Sequence, residues 1–169
     1  MAPVVRRTWA PIGKTPILYQ RTRSHKKLTV IGALCTTSQA KNPRLYFRMY
    51  ENQNMNGKGC CDFLKQLSQN IKGHVIVLWD GLKAHWGREV RNYLKQHSKV
   101  ECYAFPPYAP ELNPIEYMWG YLKMNPLSNF APETLDELSM TAKASICETR
   151  KNGHLLKSFL AKCPLPFFD

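Results

Sequence analysis

Short apolar runs and segments whose apolar residues return every three or four positions take turns along this chain. Lys27 to Cys35 and Arg44 to Tyr50 are rich in β-branched and aromatic residues, which predicts two strands, with a turn near Lys41-Asn42-Pro43 between them. Before them, residues 4–20 are punctuated by proline and read as a β-hairpin or an arm. From Cys60 to Ile71 the period lengthens, placing Cys61, Leu64, Leu67 and Ile71 on one helical face, with Gly73 as its stop. His74 to Gly81 is a continuous apolar run ending in an acid and a glycine, the pattern of a buried strand in a mostly parallel sheet. A helix over Gly87 to Ser98, with Val90 and Leu94 inward, and a strand over Val100 to Phe105 follow. Beyond Pro126, Leu135, Leu138, Ala142, Ile146 and Thr149 predict an amphipathic helix, which Gly153 separates from a short one around Leu156 and Leu160. The alternation of strands and helices predicts an α/β fold.

Two carboxylates occupy informative positions in this pattern. Asp80 ends its strand, where open α/β sheets place their ligands, although an Asp-Gly turn closing a strand has the same appearance. Glu116 falls in the first turn of a helix behind the rigid run Pro106-Pro107-Tyr108-Ala109-Pro110-Glu111-Leu112-Asn113-Pro114. Here Asn113 suits the N-cap and Pro114 the first helical position. The competing reading is a capping box, in which Glu116 only bonds back to the backbone N–H of Asn113. Glu111 reads as loop structure. With 35 residues between Asp80 and Glu116, the order is strand with Asp, helix, strand, proline-rich loop, helix with Glu.

Three blocks in that order resemble the DDE transposases of the mariner-like superfamily, in particular its bacterial insertion-sequence branch. They are Arg7-Thr8-Trp9-Ala10-Pro11-Ile12-Gly13-Lys14-Thr15-Pro16 with Leu28 to Leu34, Leu78-Trp79-Asp80-Gly81-Leu82-Lys83-Ala84-His85, and Pro106 through Lys123. The likeness covers roughly residues 4–125 and, more loosely, the tail. It implies a ribonuclease-H-like mixed sheet flanked by helices. It also implies a site in which three acids hold two divalent ions, Mg²⁺ or Mn²⁺, with Asp80 and Glu116 matching the second and third acids. Such ions prefer oxygen ligands and clamp the attacking and leaving oxygens of an in-line phosphoryl displacement. The resemblance further places His85 near the scissile phosphate and Lys123, two turns beyond Glu116, against DNA. Trp119 is expected to pack beneath the site. The family's first Asp lies on an opening strand just before the stretch that corresponds to residues 2–7. Residues 1–50 contain no acid, and Glu51 falls on the wrong strand to substitute. The expectation is therefore a catalytic domain lacking its opening strand, with residues 1–125 forming its partial core and 126–169 a helical tail packed on it.

Charge sharpens this picture only in part. The net charge is +12, and residues 1–50 hold ten Lys and Arg and no acids. Arg21, Arg23, Lys26 and Lys27, near Trp9 and Tyr19, suit contacts to phosphate, but positive charge alone would equally suit an anionic membrane. The six cysteines are scattered without metal-ligand spacing, which argues against structural zinc. No apolar run approaches the length of a membrane span. The expectations are a cytoplasmic, nucleoid-associated protein, DNA as partner in the form of transposon ends and target, and room for a homodimer. A non-catalytic DNA-binding remnant, or another ribonuclease-H-like metal-dependent nuclease, are the alternatives.

Overall fold

The computed structural model describes residues 6–7, 9–17, 26–39 and 41–165. Two strands, β1 (Leu28–Cys35) and β2 (Arg44–Glu51), pair antiparallel with Leu28 opposite Glu51 and Cys35 opposite Arg44. Asn42, at φ 51° in the connection, takes the left-handed conformation that asparagine tolerates better than most residues. Helix α1 (Gly57–Asn70) then leads to β3 (Val75–Trp79), α2 (Arg88–Gln96) and β4 (Val100–Ala104). Strands β3 and β4 pair parallel, Val75 opposite Val100, as a crossover through a helix requires. Helix α3 (Pro114–Met124) follows the proline-rich loop, and α4 (Leu135–Lys151) and α5 (Gly153–Ala161) complete the described chain. The fold is a mixed α/β arrangement consistent with the ribonuclease-H-like class, its described residues forming two two-stranded sheets.

Each sheet has its own core. Leu45 of β2 is buried with Ile115, Met118 and Leu122 of α3, Ile146 of α4, and Leu156 and Phe159 of α5, while Val30, Leu34 and Phe47 pack against them. The tail helices therefore close on the antiparallel sheet. The second core joins Cys60 and Leu64 of α1 to Val75 and Trp79 of β3, Val90 of α2 and Val100 of β4.

Helix ends explain two departures from the expected boundaries. Helix α1 begins before Cys60 because the Asn56 side chain accepts from the Gly59 N–H at 2.9 Å, satisfying a donor of the first turn. This start turns Cys60, rather than Cys61, fully inward. At the far end, Asn152 rather than Gly153 makes the junction between α4 and α5, its side chain accepting from the Leu155 N–H at 3.0 Å. The expectation that β3 is buried is corrected as well. Val75 and Trp79 face the core, but Ile76 and Leu78 are 64% and 41% exposed, because α1 and α2 cover one face of the parallel pair only.

The expected arm is described over residues 6–7 and 9–17, where it contains a turn closed by the Lys14 N–H donating to Pro11 O and no strand. Its base is held to the loop after α3, since Arg6 donates to Met124 O and exchanges backbone bonds with the Asn129 side chain. Trp9 and Ile12 are fully exposed.

Candidate active site

Asp80 emerges immediately after β3, whose pairing continues through the Phe105 N–H donating to Trp79 O at 2.9 Å. The chain then turns through a 3-10 segment, Lys83–Trp86, closed by the His85 N–H on Leu82 O at 2.8 Å. This turn folds back on Asp80. Asp80 Oδ1 accepts from the Leu82 N–H at 3.0 Å and lies 2.8 Å from His85 Nδ1. The Asp80 carbonyl accepts from Trp86 Nε1 at 3.3 Å. The His85 imidazole stacks on Trp79 with ring centroids 4.4 Å apart and planes within 5°, while Trp86 meets Trp79 edge-on. The bond from the Leu82 N–H is the one an Asx turn makes, and the His85 imidazole adds a second partner on the same oxygen. The Asp80 side chain remains 59% exposed, with Oδ2 turned to no protein partner among the described residues.

Glu116 stands in the first turn of α3, exposed, with the buried Ile115 and Met118 on the opposite side of the helix anchoring it to the antiparallel sheet. The loop before it is shaped by a 3-10 turn, Pro110–Leu112, and is tied to α3 by the Tyr117 hydroxyl donating to Glu111 O at 3.1 Å. Asn113 occupies the N-cap position as expected, but its side chain makes no cap bond. Its backbone does the work instead. Asn113 O accepts from the Glu116 N–H at 3.0 Å, and the Asn113 N–H is already spent on Pro110 O at 3.0 Å. With that donor taken, Glu116 has no capping-box role, and its carboxylate makes no hydrogen bond or ion pair among the described residues. Pro114 at the first helical position costs nothing, because that N–H would be unpaired in any case.

Trp119, one turn beyond Glu116, lies against Gly32 of β1, where a Cβ would stand 3.0 Å from its ring. Gly32 therefore sets how closely α3 approaches the sheet. Lys123 is exposed in the last turn of α3. Lys26 is exposed at the entry to β1, and Lys27 is half-buried with its ammonium on the Asn54 side chain. Arg21 and Arg23 lie outside the described residues. Glu51 ends β2 opposite Leu28, in the sheet that does not carry Asp80.

Sequence reasoning missed Trp79, Trp86 and Gly32 as determinants of the site. The tryptophans flank the motif at Asp80 and His85, and a glycine within an apolar strand signals close approach of another element. The exposed carboxylate oxygens of Asp80 and Glu116 are the hard donors that Mg²⁺ or Mn²⁺ takes. Among the described residues no group of three His, Cys, Asp or Glu side chains is placed to hold a metal ion. No described helix is long and apolar enough to cross a membrane. A family model described as DDE superfamily endonuclease matches residues 1–139. No curated protein matches the chain.

Proposed function

Because the chain belongs to the DDE superfamily of endonucleases, we propose that it derives from a DNA transposase of the mariner-like, insertion-sequence type and acts in cleaving and joining DNA ends. The observation that carries this reading is the pair of exposed carboxylates on the two family motifs, Asp80 behind β3 and Glu116 at the head of α3, neither of them ion-paired to a lysine or arginine among the described residues. Asp80 through Oδ2 and Glu116 through its carboxylate would hold Mg²⁺ or Mn²⁺, together with a third acid that the described residues do not bring there. When bound, such ions lower the pKa of an attacking water or 3′-hydroxyl and neutralise the departing 3′ oxygen. The chain's own residues hold and aim the ligands: the stiff Pro106–Pro114 loop fixes the start of α3, and the turn after β3 fixes Asp80. Lys123 on the exposed end of α3, with Lys26, Lys27 and the basic arm, would contact the phosphate backbone of transposon ends and target. That role gives sequence-independent affinity that weakens with salt. A nucleoid location and a homodimer on the two ends of an element belong to the same proposal.

The test is Mg²⁺- or Mn²⁺-dependent nicking of duplex DNA carrying candidate element ends, beside Asp80→Asn and Glu116→Gln. Each substitution removes a ligand charge and is expected to lower nicking at least tenfold. Nicking unaffected by either change would remove the metal-site assignment. Salt-dependent DNA binding with no metal-dependent cleavage would instead favour a non-catalytic DNA-binding role.

A further inference from the structure

We infer that His85 and Trp86 are positioning residues that turn Asp80 into a single-oxygen ligand. Neither is a group that touches the phosphate. This inference rests on the reading of Asp80 as a cation ligand and concerns how that ligand is presented.

A carboxylate oxygen has room for about two in-plane donors, and Asp80 Oδ1 has both: the Leu82 N–H at 3.0 Å and His85 Nδ1 at 2.8 Å. Two donors on one oxygen fix the torsion of the side chain and leave the lone pairs of Oδ2 directed outward. A cation is then met by Oδ2 alone. Chelation by both oxygens would require breaking the bond to His85 or the one to Leu82.

The imidazole is itself held. It lies flat on Trp79, which is 7% exposed and belongs to the core of the parallel sheet, and its side chain is only 11% exposed. Trp86 adds a second hold on the Asp80 carbonyl, which also lies 3.4 Å from His85 Nδ1. Its indole N–H donates to the Asp80 carbonyl at 3.3 Å, and its ring meets Trp79 edge-on with centroids 6.0 Å apart. The path of constraint runs from the core through Trp79 to the imidazole and on to Asp80, whose Oδ1 at 2.8 Å is nearer to Nδ1 than its carbonyl oxygen at 3.4 Å. An imidazole so enclosed has little surface with which to meet a substrate, but its Nδ1 is well placed to orient a ligand. Groups that orient a metal ligand in this way change metal affinity by about 10–100-fold when removed.

The two nitrogens of the ring separate the roles. Asparagine places its amide nitrogen near the position of imidazole Nδ1, and glutamine places its own near Nε2. Mn²⁺ affinity of the full chain, read by electron paramagnetic resonance of the free ion, should fall about tenfold or more in His85→Ala. It should recover in His85→Asn and stay low in His85→Gln. Trp86→Phe should weaken binding less than His85→Ala. Melting curves for each variant allow affinities to be compared at equal folded fraction. Recovery by Gln and not Asn would overturn the inference and assign His85 to the substrate through Nε2. Equal weakening in all three His85 variants would also overturn it, leaving only the stack on Trp79. Unchanged affinity in all three would do so as well. If the wild-type chain shows no Mn²⁺ affinity, or Asp80→Asn leaves it unchanged, the metal reading itself fails. That result is distinct from any pattern among the His85 variants.

Discussion

Gly32→Ala tests the contact that seats the Glu116 helix. The added methyl carbon would stand 3.0 and 3.1 Å from two ring carbons of Trp119 and 3.6 Å from Ile115 Cδ1, where ordinary contacts run from 3.4 to 4 Å. Either the indole or the whole helix must shift by a few tenths of an ångström. Overpacking of this kind costs about 1–3 kcal/mol. Against it stands a gain of about 0.4–1 kcal/mol from the smaller backbone entropy of unfolded alanine. The net expectation is a loss of about 1 kcal/mol, or about 2–4 °C in melting temperature for a chain of this size. Urea titration gives the free energy, and a cycle with Trp119→Phe assigns it, because phenylalanine lacks the outer ring carbons that the methyl meets. The cost of Gly32→Ala should shrink by at least about 0.5 kcal/mol in the Trp119→Phe background. An equal cost in both backgrounds, or a Gly32→Ala protein as stable as the parent, would refute the close-approach argument. On the proposed reading of Glu116 as a cation ligand, a true shift one turn away at Trp119 should also lower Mn²⁺ affinity more than the stability loss alone accounts for.

Met118 is fully buried in the same helix, and Met118→Ala should cost about 2–5 kcal/mol by urea titration; a smaller loss would mean that the core beneath α3 is not closed. Thr134 caps α4 by accepting from the Glu137 N–H at 3.1 Å, so Thr134→Ala should cost about 1 kcal/mol, read as a lowered urea midpoint, while Thr134→Ser should cost less. Burial pushes the Cys60 thiol up to about 11 and those of Cys35 and Cys102 up to about 12, from an ordinary value of 9.0. A native value above the unfolded one contributes stability that is whole below pH 9 and is lost as pH rises toward 12, because the unfolded chain ionises first. Stability should therefore fall between pH 9 and 12 more steeply than in a variant with Cys35, Cys60 and Cys102 all changed to alanine, and equal slopes would contradict this.

Much of the element order was legible because it depends on local pattern. The Pro114 helix start, the Asn42 turn and the strand ending at Asp80 all lie where proline, asparagine and apolar runs put them. What the pattern could not supply were facts of packing and of competition for donors. Ile76 and Leu78 read as core, yet a strand's apolar content does not reveal whether both faces are covered. Asn113 followed three residues later by Glu116 reads as a capping box, but whether the Asn113 N–H is free depends on Pro110, which takes it first. The hold on Asp80 was half visible: His85 stands in the motif, but that the ring lies on Trp79 and turns Nδ1 toward Asp80 Oδ1 follows only from the way the 3-10 turn folds back.

The division into two cores has a consequence for how the molecule opens. Asp80 is attached to the unit of α1, α2 and the parallel strands, and Glu116 to the unit of α3, α4, α5 and the antiparallel pair. Segments with separate cores commonly open as separate cooperative units, each with its own amide exchange rate. Amides of β3 and β4 should then exchange on a different free-energy scale from those of β1 and β2. An ion held by both carboxylates would act as a latch, since opening either unit releases it. At 100 times its dissociation constant it would raise the opening free energy of both units by the same amount, about 2.7 kcal/mol, so that both sets of amides slow together on a single metal titration.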